Sequence, residues 1–164
     1  MSKYIEVIEL LTENHIINKC GFEFVDKIFH MNVDIRKDIV MKIKNIKKEW
    51  LSVFGKDVDQ KLIREHVTSY GNYLWHLFTW GNVICLEKDE ARKVFDELNY
   101  KEAIKFTDGY SNRIKGISVI EKVSAKDIDE DPESDVYIVA SDFSWTYVRT
   151  HERDLCGPFL CIKK

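Results

Sequence analysis

The chain has 164 residues, of which 45% are hydrophobic and 12% aromatic, with only two prolines. That composition supports one packed domain and excludes wholesale disorder. A formal charge of −3 argues against a general nucleic-acid binder, which needs a basic face, and no apolar run approaches the ~20 residues that cross a bilayer.

The opening MSKYIEVIELLTENH shows no basic leader, apolar core or small-residue cleavage site. A cytoplasmic location is expected, and the four cysteines are then expected as reduced thiols. Tyr4, Ile8, Leu11 and His15 fall on one helical face, with Ser2 as N-cap. Cys20-Gly21 ends that segment, and FEFVDKIF follows as a short apolar stretch of unassigned type. The clearest helix carries the stripe Ile35, Ile39, Ile43, Ile46, Trp50 and Phe54, with Asn32 or Asp34 to cap it and Gly55 to stop it. Lys37, Lys44, Lys47 and Lys48 occupy its other face, a pattern that ordinarily means a solvated surface. DQKLIREHV supplies one more short helix through Leu62, Ile63 and His66.

From Tyr70 the character changes. YLWHLFTW and NVICLE are rich in aromatic and branched residues and read as strands joined by a turn at Trp80-Gly81-Asn82. Ala91, Val94, Phe95 and Leu98 then mark a helix whose first turn holds Asp89 and Glu90, and Arg92 is placed to pair with Asp96. EAIKFTD and ISVIEKV read as strands around a Gly109–Gly116 loop, and Ser124 and Asp127 as a capped turn. DVYIVA, FSWTYVRT and PFLCIKK complete an antiparallel meander. The expected fold class is α+β, with N-terminal helices packed on one face of a mostly antiparallel sheet. The chain is taken as one domain over 1–164, helical over 1–69 and mainly β with one helix over 70–164.

Alternation in FSWTYVRT sends Phe143, Trp145 and Tyr147 to one face, and Gly157-Pro158 supplies turn chemistry. Cys156 and Cys161 lack the spacing of a redox pair. His151, Cys156, Cys161 and Cys85 have zinc-ligand chemistry, but no Cys-x-x-Cys pair exists, so neither a metal nor a cofactor is expected. The acidic run Asp127–Asp135 places Pro132 where a calcium loop wants glycine. What remains is a set of polar residues among aromatics. Trp75 and His76 lie in WHLF, Glu87, Glu90 and Arg92 in LEKDEAR, and Trp145, His151 and Glu152 in SWTYVRTHE. Strand ends of this kind are where sites are built.

Taken together, Glu49-Trp50, WHLF, CLEKDEAR with Phe95-Asp96, DFSWTYVRTHE and CGPF resemble the bacterial domain of unknown function 4275 family, found largely in Bacillus-like organisms. The matching words run in order from about Lys47 to Phe159. Where that family often has glycine this chain has Lys88, and Leu160 replaces an aromatic, leaving Cys161 without a family counterpart. The resemblance implies a soluble bacterial protein and carries over no catalytic residues. Three functions are weighed on the residues. The first is a non-enzymatic module that binds a protein partner, in the manner of an immunity protein or antitoxin. The second is an enzyme, metal-dependent or using His76, His151, Glu152 and a cysteine. The third, ranked last, is nucleic-acid binding through the lysine face.

Overall fold

The computed structural model describes residues 45–163 apart from 80, 82 and 110–112. The expected helices before that point, their Ser2, Asn32 and Asp34 caps, and the Ile35, Ile39 and Ile43 part of the long stripe lie outside the described residues. So do the FEFVDKIF stretch, Cys20, Lys37 and Lys44.

Helix α1 (Ile46–Phe54) buries Ile46, Trp50 and Phe54, the described part of the expected stripe. It stops at Gly55, where there is no room for a side chain. A Cβ there would stand 2.8 Å from the Leu51 carbonyl oxygen and 3.1 Å from Ile63 Cδ1. The short helix α2 (Gln60–Leu62) starts where Asp59 accepts the Lys61 amide, and it runs into a wider turn over Ile63–Val67.

The sheet has six strands: β1 (Leu86–Glu87), β2 (Glu102–Gly109), β3 (Arg113–Glu121), β4 (Asp135–Val139), β5 (Trp145–Arg149) and β6 (Phe159–Ile162). Their order is β1-β6-β5-β4-β2-β3, and every recorded pairing is antiparallel. The expected meander holds for β4-β5-β6, but β4 pairs with β2 rather than β3. The β2–β3 register steps irregularly between Thr107 and Asp108. With α3 (Lys88–Glu97) and α4 (Ala125–Asp129), the chain is an α+β protein.

Both faces of the sheet are covered. One packs Ile104, Phe106, Tyr137, Val139, Val148 and Phe159 with α1, so the helix preceding the sheet packs on one face as expected. Trp50 anchors it, donating from Nε1 to Thr146 Oγ1 at 3.0 Å while Thr146 donates to the Ile138 carbonyl at 3.1 Å. The second face packs Ala103, Val136, Ile138, Tyr147 and Leu160 against α3 and α4. Ser124 and Asp127 form the expected capping box of α4, and Asp96 accepts the Ala125 amide at 2.7 Å. The Arg92–Asp96 pair expected from spacing is therefore not made.

Three expected strands are corrected. YLWHLFTW is a 3-10 helix over Leu74–Phe78. NVICLE contributes only the two residues of β1. Phe143, expected to share a face with Trp145 and Tyr147, precedes β5 in a turn at φ +59° and packs in the other core. The acidic run from Asp127 is no bare solvated turn either. Its carbonyls at Ile128, Asp131, Glu133 and Ser134 accept from the buried Arg149 guanidinium over 2.7–3.2 Å.

Lys88 sits at φ +54°, where a Cβ crowds the backbone. Glycine, the residue that the family resemblance led one to expect here, takes that left-handed conformation without the cost. Lys88→Gly is expected to raise stability by about 0.5–1 kcal/mol, relief of strain outweighing the added freedom of the unfolded chain. Urea denaturation beside a Lys88→Ala control, which keeps the strain, checks this. A loss of stability with glycine would contradict it.

Candidate functional site

The site lies at the end of the sheet where β2 finishes, β4 starts and β5 finishes. Asp108 and Asp135 are direct cross-strand partners there, and the β2–β3 irregularity falls beside Asp108. Such irregularities re-aim side chains at sheet ends. Asp108 is 1% exposed and Asp135 0%.

The 3-10 helix Leu74–Phe78 crosses this end of the first face. Its pattern has period three: Leu74, Trp75, Leu77 and Phe78 are buried, while Tyr73, His76 and Thr79 are not. Two side chains from the sheet hold its start. The Leu74 amide donates to Asp108 Oδ2 at 3.2 Å, and the Trp75 amide donates to the Tyr137 hydroxyl at 3.0 Å. These bonds place His76 at the edge of the core.

His151 arrives from the turn after β5. Its backbone amide and its ring Nδ1 both donate to Asp135, at 2.8 Å to Oδ1 for the amide and 3.0 and 3.1 Å to the two oxygens for the ring. His76 Nδ1 lies 3.2 Å from the His66 carbonyl oxygen. Carbonyls and carboxylates only accept, so each neutral ring carries its hydrogen on Nδ1 and its lone pair on Nε2. Neither Nε2 meets a hydrogen-bond partner among the described residues. Tyr73 and Trp75 join the two imidazoles: His151 is 4.8 Å from the Tyr73 ring and 5.7 Å from Trp75, and His76 is 4.2 Å from Trp75. Burial lowers the His76 pKa, opposed by the His66 carbonyl and the Glu152 carboxylate.

The expected cluster thus divides. Trp75, His76, His151 and Glu152 come together. Arg92 instead bonds Asp129, Asp89 and Asp154 at 2.9, 3.0 and 2.6 Å, tying α3 to α4 and to the loop after His151. Glu90 stands exposed on α3, and Trp145 is buried in the second core against Phe95 and Tyr100. Glu87 borders a separate groove of about 450 Å³ with Ile84, Cys85, Leu155 and Cys156. Burial pushes the Cys85 thiol up to about 12 and raises Cys156 and Cys161 as well, so these cysteines stay protonated at neutral pH and are poor nucleophiles. Among the described residues no three metal-type side chains gather, and none forms a helix long and apolar enough to cross a membrane.

Three members of the site escaped the sequence reading: Asp108, Asp135 and Tyr137. The signal was present, since EAIKFTD and DVYIVA each set an acid at the end of an apolar strand, where an ionisable group is seldom fully buried without a partner. Burial lifts the Asp108 pKa to about 7, helped by the nearby Asp135 carboxylate and opposed by the Leu74 amide, Tyr137 and Lys47.

In the unfolded chain the Asp108 carboxyl loses its proton near its ordinary value of 3.8, and in the folded chain only near 7. Between those values the folded state binds the extra proton, so stability falls as pH rises through that window and stays reduced above it. Asp108→Asn removes this term while leaving an acceptor for the Leu74 amide. Its stability relative to the parent chain is expected to climb by roughly 1–3 kcal/mol from pH 4 to pH 7, a change from which any fixed cost of the new amide cancels. Urea midpoints across that range test it, and a flat difference would refute it.

No curated protein and no solved structure matches the chain. One family does, over residues 22–160, which includes every residue of the site described above. The chain belongs to that family, described as Domain of unknown function (DUF4275).

Proposed function

We propose that the chain is an enzyme that moves a proton, with His151 Nε2 as general base and Asp135 as the carboxylate that orients it. One observation carries the reading: a fully buried Asp135 holds Nδ1 of a ring whose side chain is 38% exposed. A buried carboxylate behind a half-exposed imidazole fixes the tautomer and stabilises the imidazolium that forms when the ring accepts a proton. His76, neutral at physiological pH through burial, offers a second lone pair beside Trp75. Substrate would rest against Tyr73 and the two rings, with Glu152 at the rim.

Among the described residues no hydroxyl or thiol is hydrogen-bonded to either imidazole, and the reaction class this reading takes is proton transfer or activation of water. The His76, His151 and Glu152 of the enzyme hypothesis remain in it, and the cysteine leaves. A panel of chromogenic carboxylic and phosphoric esters is the first assay. Turnover is expected and should fall about 10²–10⁴-fold in His151→Gln with the circular dichroism unchanged. A panel without turnover, or turnover that survives the substitution, refutes the reading.

A second reading keeps the protein partner, and a different surface favours it. Ile84 is 96% exposed and Leu155 88%, and both line the groove beside Glu87 and Lys88. Large aliphatic side chains left in water on one groove are what an interface would cover. Replacing both by serine should abolish any complex recovered at stoichiometry with the purified chain, by roughly 10-fold or more in affinity. A complex equally strong in the double variant would exclude this surface.

A further inference from the structure

We propose that Asp108 and Asp135 hold a single proton between them, with Asp108 the neutral acid and Asp135 the carboxylate beneath His151. The two residues are register partners on neighbouring antiparallel strands, β2 and β4, and both are buried. Side chains so related lie on one face about 4.5–5.5 Å apart at Cβ. Two carboxylates that close, away from water, do not both ionise.

Their partners decide which one keeps the proton. Asp135 accepts from two N–H groups of His151, which favours the charged form. Asp108 accepts one amide, from Leu74, and its Oδ1 is buried with no well-formed hydrogen bond. The groups facing Asp108 come from three elements: Tyr137 and Asp135 from β4, the Leu74 amide from the 3-10 helix, and Lys47 from α1. Lys47 acts through space, is itself partly desolvated, and forms no recorded ion pair with the acid. The Tyr137 hydroxyl lies against the carboxyl group and also accepts the Trp75 amide. The bare oxygen is therefore where the proton resides, and the direction of the Asp108 shift agrees.

One consequence rests on the acid–base reading given above. While Asp108 is neutral, a single negative charge faces the His151 ring; when it ionises, a second appears one strand further on. Asp108 is then a positioning residue for the base, setting how much negative charge stands behind it.

Infrared spectroscopy of the full chain tests the shared proton without any substrate. Below neutrality the spectrum should contain the carbonyl stretch of a dry, protonated carboxylic acid, and that band should fade as pH rises through about 7. It should be absent from Asp108→Asn and retained, at shifted frequency, in Tyr137→Phe, which loses only the hydroxyl. A parent spectrum without the band, or a band that persists in Asp108→Asn, overturns the proposal. If the Asn variant does not fold, an unshifted band in Tyr137→Phe overturns it instead. A band behaving as expected in a chain that turns over no substrate would leave the proton pair standing and remove the catalytic reading. Where turnover exists, its fall on the acid side, where the base takes up its proton, should move to lower pH in Asp108→Asn, which never adds the second charge behind the ring, and an unmoved profile removes the positioning role.

Discussion

Tyr137 has no exposed surface, yet a hydroxyl shut away from water must find polar company or cost about 1–3 kcal/mol. That constraint organises the first face of the sheet. The hydroxyl accepts the Trp75 amide at 3.0 Å and lies against Asp108. Its ring stacks on Phe106 at 4.6 Å and meets the edge of Trp50 at 5.7 Å. One side chain thereby ties β4 to β2, to α1 and to the 3-10 helix. With the Trp75 amide held, the rotation of that helix is fixed. Trp75 turns inward and His76 falls at the edge. A slip of one residue would bury the imidazole and expose the indole.

Elements set by neighbours in sequence were legible. The Ile46, Trp50 and Phe54 stripe, the Gly55 stop, the Ala91–Phe95 face and the Ser124–Asp127 box each depend on residues within a turn or two, and each stands where spacing places it. WHLF was misread because its aromatic and branched residues have β propensity, whereas its burial follows a period of three imposed by Asp108 and Tyr137 from far along the chain. Arg92 shows the same limit: helical spacing offered Asp96, while two of its three carboxylate partners come from α4 and the turn after His151. Of the site, the two imidazoles were legible as chemistry and were grouped together from the polar and aromatic words that hold them. Asp108 closes the apolar strand EAIKFTD and Asp135 ends the acidic run from Asp127, so neither stood out beside the imidazoles.

Why alternation failed around Phe143 follows from the sheet's two covered faces. Residues Val136, Tyr137, Ile138 and Val139 are all fully buried, so the contrast between an inner and an outer face that marks a half-exposed strand is lost at the centre of this sheet. Trp145 and Tyr147 pack on Phe95 of α3 while Thr146 and Val148 pack toward α1. The turn at Phe143 then sends its ring to the face opposite Trp145. An aromatic stripe read as one surface is really shared between two cores.

The same end of the sheet treats its buried charges in two ways, and the difference explains why the site is acidic inside. Arg149, cross-strand from Val136, spends its guanidinium on four main-chain carbonyls, that of Ile128 in α4 and those of Asp131, Glu133 and Ser134 in the loop before β4. Neutral oxygens take four of its five N–H donors, and among the described residues it forms no ion pair. Asp131, which could have served as its counter-ion, pairs with Lys105. On the other face Asp135 and Asp108 meet two backbone amides, one half-exposed imidazole, one tyrosine hydroxyl and the through-space charge of Lys47. A fixed cation there would lock Asp135 and make His151 redundant as its partner. Withholding it leaves the imidazole as the side chain that answers the buried charge.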